Sequence, residues 1–259
     1  MSPRMLSNFI AAKFDSADPA RMTGWLARAR ICQRALPQQC AFCVAPSGHS
    51  LVCVACCLSL PRIEHPCPLC ALPRAGGSIC GACLAHPPPF AAAYAAFAYA
   101  YPLDRLLQAF KYGGRLAHAD FFAAAVSERV AQRTAGTPWP DALVALPLAP
   151  SRQRERGFDQ SAEIARRVAA IVGMPMRTAL RRIRDTPAQA ALPWRQRAEN
   201  VRGAFACTSS VAGQRVAILD DVMTTGATLA AAAHALLGNG ARSVEAWAVA
   251  RTLPPAQLP

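Results

Sequence analysis

Lysine is nearly missing from this sequence of 259 residues: among 28 basic residues only Lys13 and Lys111 are lysines, and the others are arginines. Acidic residues are also scarce, 15 in all, so the formal net charge is +13. The planar guanidinium group matches phosphate geometry better than an ammonium group does. Because a GC-rich genome would also replace lysine by arginine, the excess alone identifies no ligand.

The sequence also lacks any run of about 18 apolar residues, so we expect no membrane span. Residues 1–13 contain neither a long apolar stretch nor a small-residue cleavage site, which predicts no secretory signal and a cytoplasmic location. Apolar residues make up 53% of the chain and charged residues 17%, a balance that favours a buried core over disorder.

The positive charge is concentrated in one part of the chain. Residues 151–202 contain twelve arginines against five acidic residues, and therefore carry +7 of the total charge. A clustered positive field attracts nucleic acid or phosphorylated small molecules. A solvated charged surface is the alternative interpretation.

Ten of the eleven cysteines precede residue 84, and eight of them form an internal repeat. Each unit has two Cys-x2-Cys pairs separated by nine residues, and the second unit starts 27 residues after the first. The units are Cys40, Cys43, Cys53, Cys56 and Cys67, Cys70, Cys80, Cys83. Disulfides are not expected in a reducing compartment, whereas two thiolate pairs complete a tetrahedral zinc site. The repeat predicts two structural Zn²⁺ ions, with redox chemistry of the pairs as the alternative.

Each unit contains ligands for a whole site, which favours zinc sites within a unit over sites shared between units. Cys57 follows Cys56 directly and could replace it as a ligand, while Cys32 and Cys207 are left over. Prolines and the pair Gly76 and Gly77 interrupt this region, which predicts turns and short strands rather than helix. Metal binding would supply its folding free energy.

The chain is predicted to have three segments. Residues 1–39 form an extension with an amphipathic docking helix at 25–36. Residues 40–85 form a double zinc ribbon, and residues 90–253 form an α/β domain that follows a proline-stiffened linker. In that domain, apolar runs predict strands at 90–101, 142–146, 216–219 and 244–249, and helical patterns occur at 103–110, 116–133, 159–172 and 227–237. The alternation predicts a largely parallel sheet flanked by helices.

A short polar motif follows the third of these strands. Asp220 and Asp221 come first, and a loop of small residues at 224–228 then leads into a helix. The helix N-terminus favours a bound phosphate, glycine permits close backbone approach, and paired carboxylates suit sugar hydroxyls or Mg²⁺. A nucleoside triphosphatase would need a partner sequence Gly-x4-Gly-Lys-Ser/Thr, which the chain lacks.

This motif resembles the phosphoribosyl-pyrophosphate (PRPP) binding motif of the type I phosphoribosyltransferases. The resemblance implies that Asp220 and Asp221 hold the ribose hydroxyls, and that the loop holds the 5-phosphate, with Mg²⁺ beside it. The implied PRPP-binding set is Asp220, Asp221, Val222, Met223, Thr224, Thr225, Gly226, Ala227 and Thr228.

Residues 110–113, 146–148, 152–160, 184–189 and 195–205, together with the cysteine repeat, resemble the ComF family over residues 40–251. Members of this family are phosphoribosyltransferase-like proteins linked to natural competence and DNA uptake. The resemblance implies a type I phosphoribosyltransferase-like domain at 90–253. Family members usually have asparagine where this chain has Asp159, so we assign position 159 no ligand contact.

The remaining candidate residues are basic or aromatic. Contacts to pyrophosphate or to the DNA backbone are predicted for Lys111, Arg152, Arg154 and Arg156, with solvated cations as the alternative. Base stacking is considered for Tyr94, Phe97, Tyr99, Tyr101, Phe158 and Trp194, although the first four also fit a strand core.

Two functions follow from the resemblance. The first is a binding module for PRPP or a related phosphoribosyl ligand that also contacts single-stranded DNA and other competence proteins. The second is an active phosphoribosyltransferase (a glycosyltransferase) that transfers ribose 5-phosphate to a nitrogenous acceptor; no residue is assigned as its catalytic base. A degenerate site is the third interpretation, and the intact acidic pair argues against it.

Overall fold

The computed structural model describes residues 38–134, 136–184 and 201–254 of two compact units, Met1–Ser59 and Leu60–Pro259. The helix predicted at 25–36 lies outside the described residues, as does most of the stretch 184–200. In the first unit, β1 (Gln38–Gln39) pairs antiparallel with β2 (Pro46–Gly48), and α1 (Val54–Leu58) follows.

The second unit begins with the second cysteine repeat and continues into an α/β domain. Its elements are α2 (Gly81–Ala85), β3 (Ala92–Ala98), α3 (Leu103–Gly113), α4 (His118–Ala131), β4 (Ala142–Ala145), α5 (Pro150–Arg156), α6 (Gln160–Val172), β5 (Leu180–Arg182), β6 (Phe205–Cys207), β7 (Arg215–Met223), α7 (Ala227–Leu237) and β8 (Ser243–Arg251).

The cysteine repeats contain short helices, so the prediction of turns and strands without helix is wrong at α1 and α2. Both helices occur at the same point of the repeat. Cys53 and Cys80 occupy the N-cap positions with extended backbone. The second cysteine of each pair lies three residues later, and one helical turn brings residues at that spacing to the same face. The short helix therefore directs both thiols of the pair to one point.

A four-stranded parallel sheet forms the centre of the second unit, in the order β3-β8-β7-β4. Helices α4 and α6 pack on one face, and α7 packs on the other. The strands are rich in buried alanine, valine and leucine because both faces are covered. The predicted α/β class and parallel sheet are confirmed.

The second cysteine repeat lies along the outer edge of β3. Ala93 N donates to Pro68 O at 2.8 Å, and Ala98 N donates to Pro61 O at 2.7 Å. Ala71 of this repeat is fully buried in the core cluster that also includes Phe90. The repeat and the sheet therefore share backbone hydrogen bonds and a hydrophobic core.

Helix α6 shows how the local sequence sets an element's ends. The Asp159 carboxylate accepts a hydrogen bond from Ala162 N at 2.9 Å, which caps the helix N-terminus. Gly173, with φ of 72°, ends the helix in the left-handed conformation. A second carboxylate oxygen of Asp159 accepts from Leu148 N at 3.1 Å. Position 159 thus has a structural role, in which it joins α6 to the loop after β4.

Two features of this domain were not predicted. The antiparallel hairpin of β5 and β6 packs beside α7, and Leu180 and Phe205 contribute to the core there. Residues 150–156, for which the sequence predicted no helix, form the helix α5 with Pro150 in its first turn. In the described part of the chain, no helix combines the length and the apolarity needed to cross a bilayer.

Candidate functional site

The acidic pair lies within β7 and not after it, because the strand continues to Met223. Asp220 is opposite Ala248 of β8, and Met223 is opposite Arg251. On the other side, pairing with β4 ends at Leu146, whose N–H donates to Leu219 O at 2.9 Å. The next residue, Pro147, has no N–H group to continue the ladder. The segment of β7 that carries both aspartates is therefore open on the β4 side.

Asp220 is held in place by two hydrogen bonds. Its Oδ1 accepts from Ser161 Oγ at 3.0 Å and from the Asp221 N–H at 2.8 Å. Burial and the neighbouring Asp221 charge together raise the pKa of Asp220 to about 7. Near neutral pH this carboxyl can therefore lose or gain a proton when a ligand changes its surroundings.

Asp221 is paired with Lys111, the lysine in the last turn of α3. Lys111 Nζ lies 2.8 Å from Asp221 Oδ2, and both side chains are less than one-fifth exposed. Although burial lowers the pKa of Lys111, the Asp221 charge and hydrogen bond raise it above its usual value. The structure thus brings Lys111 to the acidic pair, while its place at a helix end also fits the alternative of a cation near the helix dipole.

The loop after β7 has the geometry expected of a phosphate-binding turn. Gly226 has φ of 84°, and a β-carbon there would lie 2.8 Å from Cε of Met223. The positive φ favours glycine, and any other residue would also have to displace the terminal methyl of Met223. Thr225 Oγ1 accepts from Ala227 N at 3.1 Å, where the loop enters α7. The loop and Asp220 line a shallow recess, with Val222, Met223, Thr224, Gly226, Thr228 and Leu229 as the other lining residues.

The three candidate arginines lie on α5, which follows β4 at the same edge of the sheet. Arg156 Nη1 donates to Gln160 Oε1 at 2.9 Å, and its guanidinium lies 5.2 Å from the centre of the Tyr112 ring. Tyr112 directly follows Lys111 in the chain, so Arg156 and Lys111 are two neighbouring cations. Arg152 is half-buried and Arg154 is exposed.

The candidate stacking residues have different surroundings. Phe97 is fully buried, and Phe158 packs edge-on against Phe110 with ring centres 5.4 Å apart. Tyr94 and Tyr99 are partly buried. Tyr101 is 78% exposed, and Trp194 lies outside the described residues.

Sequence reasoning missed two residues at this site. Ser161 contacts Asp220 across 59 positions of sequence, and no local pattern links them. Arg251, at the end of β8, is buried and hydrogen-bonded to the loop at Met223 and Thr224. The available signal was a charged residue directly after the apolar run at 246–250.

The first cysteine cluster groups Cys40, Cys43, Cys53 and Cys56, whose sulfur atoms all lie within 4.8 Å of one another. The Cys43 and Cys53 sulfurs are 3.7 Å apart. Tetrahedral zinc with Zn–S bonds of about 2.3 Å requires sulfurs about 3.8 Å apart, so the cluster fits this ion. Among the described cysteines, the cluster includes Cys56 and excludes Cys57.

The second cluster repeats this arrangement with Cys67, Cys70, Cys80 and Cys83. The Cys70 and Cys80 sulfurs are 3.7 Å apart, and Cys80 N donates to Cys67 Sγ at 3.4 Å. Both clusters therefore form within a repeat unit.

The thiols of each cluster ionise unequally. Burial raises the pKa of Cys40, but N–H groups of Cys43, Cys53 and Phe42 lower it to about 6. Hydrogen bonding to Cys43, burial and the Cys40 charge raise the pKa of Cys56 to about 12. One thiolate therefore forms readily, and its negative charge disfavours ionisation of the neighbouring thiols. Four thiolates can be present together only with a cation among them.

Comparisons with known proteins give consistent results. The model of the family described as "Phosphoribosyl transferase domain" matches residues 159–255. The DNA utilization protein YhgH of Salmonella typhi is 35% identical over 224 residues, covering 84% of this chain and 99% of that protein. Competence protein F of Haemophilus influenzae is 30% identical over 182 residues, covering 66% of this chain and 78% of that protein.

Solved structures are more distant. The glutamine PRPP amidotransferase from B. subtilis, solved with ADP and GMP, is 23% identical to this chain with a TM-score of 0.33. The similarity covers 50% of this chain and 26% of the amidotransferase chain.

Proposed function

Because this chain belongs to the ComF family, we propose that it binds PRPP together with Mg²⁺ and contacts single-stranded DNA, with zinc stabilising its cysteine repeats. One observation carries the PRPP proposal. Asp220 and Asp221 lie on the open flank of β7, directly before a loop that favours glycine at 226 and enters a helix N-terminus. This arrangement supports a sugar bound through its hydroxyls beside a phosphate monoester.

In this proposal each group has a separate task. The carboxylates of Asp220 and Asp221 accept hydrogen bonds from the ribose hydroxyls, and Ser161 keeps Asp220 oriented. The hydroxyls and N–H groups of residues 224–228 bind the 5-phosphate. When bound, Mg²⁺ neutralises charge on the pyrophosphate, and oxygen donors such as the acidic pair are the ligands it prefers.

Lys111 has to change partners when PRPP binds. Its ammonium occupies a carboxylate oxygen of Asp221 that a ribose hydroxyl would need. As the hydroxyl takes this position, the ammonium can move to a pyrophosphate oxygen. Arg156, which lies over the ring of the adjacent Tyr112, can add a second cation. In the free protein the Lys111 charge therefore offsets the repulsion between the two carboxylates, until an anionic sugar takes its place.

The zinc proposal rests on the donor sets of the two clusters. Each offers four thiols at distances suited to tetrahedral zinc, so no position is left for a reacting water. The cysteines then fix the fold of their repeats, and catalysis needs no contribution from them. Two zinc ions per chain are expected.

The DNA proposal rests on charge and on relatives. A protein named for DNA utilization and one named for competence align with most of this chain. Arg152 and Arg154 give α5 a basic surface, and Tyr101 presents an exposed ring. Cationic grooves with exposed aromatic rings suit single strands, because phosphates and bases are contacted together. Other competence proteins are further proposed partners.

Phosphoribosyl transfer is the second candidate function, because the same acidic pair and loop would serve it. The bond between ribose C1 and the pyrophosphate oxygen would break, and a nitrogen of the acceptor would bond to C1 and lose its proton. Lys111 and Arg156 would stabilise the departing pyrophosphate electrostatically.

Calorimetric titration with PRPP and Mg²⁺, beside a pyrophosphate-release assay with several nucleobases, tests both candidates. Binding without release supports a binding module, and release supports a transferase. Asp221→Asn should abolish binding. Asp141→Asn is the matched control, because Asp141 pairs with Arg215 at the opposite end of β7. A flat titration of the native chain would contradict the PRPP proposal.

A further inference from the structure

Arg251 connects the second cysteine cluster to the loop of residues 224–228 that follows β7, the proposed phosphate loop. Its side chain is 2% exposed, and Nε donates to Cys70 O at 2.8 Å. Nη1 donates to Met223 O at 3.1 Å, to Thr252 O at 2.9 Å and to Thr224 O. One rigid guanidinium thus contacts the backbone of a predicted metal ligand and two successive carbonyls at the start of the loop.

The charge of Arg251 is balanced in an unusual way. Within residues 38–134, 136–184 and 201–254, no carboxylate forms an ion pair with it. Its Nε donates instead to the backbone of Cys70, one of the four cysteines of the second cluster. Isolated buried cations are costly unless an opposite charge compensates them. Four thiolates around one Zn²⁺ carry a formal charge of −2, so the loaded cluster supplies that compensation.

A second physical connection runs through the core. Ala71, the residue after Cys70, is fully buried in the same cluster as Met223 and Phe90. Met223 is also the residue against which Gly226 packs. Movement of the Cys70 segment would therefore disturb both the hydrogen bonds and the packing that fix the loop.

We propose that Arg251 is a positioning residue through which zinc in the second cysteine cluster holds the phosphate loop in its binding conformation. This inference rests on the proposed functions of the two sites, and adds that zinc binding at one site controls the loop conformation at the other. Zinc in the first cluster, which belongs to the other compact unit, is not part of this connection. The two repeats, identical in spacing, then have different consequences for ligand binding.

The repeat provides a matched pair of variants, because Cys43 and Cys70 occupy equivalent positions. Cys70→Ser should lose zinc from the second cluster, and Cys43→Ser from the first. Hydrogen exchange of peptides covering residues 222–229 measures the loop directly, without any ligand. We expect exchange about tenfold faster in Cys70→Ser, because loss of hydrogen bonds to a charged group frees the loop, and no change in Cys43→Ser.

Arg251→Lys tests the link without touching a cysteine. Lysine keeps the charge but lacks the fork that reaches several carbonyls. We expect both zinc ions to be retained, as shown by elemental analysis, while loop exchange rises and α6 exchange stays at the native level. Arg215→Lys, on the same sheet but at the other end of β7, is the control and should leave the loop unchanged. A general loss of stability would instead speed exchange in α6 as well.

PRPP titration of the same variants separates this inference from the proposed function. Where the native chain binds PRPP, the dissociation constant should rise about tenfold in Cys70→Ser and Arg251→Lys, in line with the lost loop order, and stay unchanged in Cys43→Ser. If the native chain fails to bind PRPP, the PRPP proposal is wrong, and hydrogen exchange of the loop still tests whether Arg251 links it to the second cluster. Equal loop exchange in Cys43→Ser and Cys70→Ser, or native loop exchange in Arg251→Lys, would overturn it.

Discussion

The ammonium group of Lys111 and the carboxylate of Asp221 form an ion pair of 2.8 Å at the open flank of the central sheet. The two residues are 110 positions apart, and the pair also lies beside the second carboxylate, Asp220. It therefore offsets the charge repulsion between the two neighbouring aspartates. If the acidic pair binds PRPP as proposed, stability and ligand binding are coupled at this one contact.

Lys111→Met should destabilise the chain by about 1–3 kcal/mol, between the effects expected for exposed and for buried ion pairs. The reason is that Asp221 loses its counter-charge next to Asp220. Combining it with Asp221→Asn should recover part of the loss, since no unpaired charge is left. Urea unfolding of both single variants and the double variant measures this coupling, and strictly additive effects would contradict it.

The free energy of unfolding of Asp220→Asn, minus that of the native chain, should be larger at pH 8 than at pH 5. In the folded chain the pKa of Asp220 is about 7, above the unfolded value near 4. The stabilisation from its bound proton is complete below the unfolded pKa and is lost as pH rises through 7. The difference between the two pH values should be about 2–3 kcal/mol in favour of the variant.

The same variant keeps an oxygen that can accept from Ser161 and from Asp221 N, so the change is one of charge. Urea unfolding at both pH values gives the comparison. An equal stability difference at pH 5 and pH 8 would show that the Asp220 pKa is not raised.

Gly226→Ala should weaken phosphate binding and stability together, because the new β-carbon meets Met223 and the backbone has φ of 84°. Gly213→Ala is the matched control, since Gly213 has φ of 72° but nothing within 4 Å of its β-carbon position. Left-handed strain alone costs about 1–2 kcal/mol, so Gly213→Ala should show this loss and Gly226→Ala more. Thermal unfolding and PRPP titration measure both effects, and equal losses would exclude the clash.

Arg152→Ala combined with Arg154→Ala should weaken single-stranded DNA binding and flatten its salt dependence. Each lost phosphate contact lowers the slope of log affinity against log salt by about 0.7 for single strands. Arg242→Ala is the control, because Arg242 is exposed just before β8, at the opposite end of the sheet. Fluorescence anisotropy with labelled oligonucleotides at several salt concentrations gives the slopes, and an unchanged slope would remove α5 from the proposed DNA surface.

Patterns local in sequence predicted most of the α/β domain. The helix expected at 227–237 matches α7, because an apolar alanine-rich run follows Gly226. Strand β7 extends four residues beyond its predicted end, since Asp220 and Asp221 interrupt its apolar pattern while β8 still pairs with it. Pairing with a neighbouring strand decided the boundary there.

Contacts between distant segments account for what the sequence did not reveal. The link from Ser161 to Asp220 and the contacts of Arg251 exist only after the sheet has formed. The antiparallel strands β5 and β6 join segments 180–182 and 205–207, which are too far apart in sequence for a short turn to signal their pairing. The cysteine spacing, in contrast, predicted both thiol clusters, because each cluster is complete within 17 residues.

The hydrogen bonds that Ala93 donates to Pro68 and that Ala98 donates to Pro61 have a further consequence if the second repeat holds zinc as proposed. They occupy the outer side of β3, a long apolar strand that would otherwise offer free donors to strands of other molecules. A chain whose second repeat loosens after loss of the proposed zinc ion would uncover that side. Metal-poor cells would therefore accumulate insoluble protein through intermolecular β pairing before the rest of the sheet unfolds.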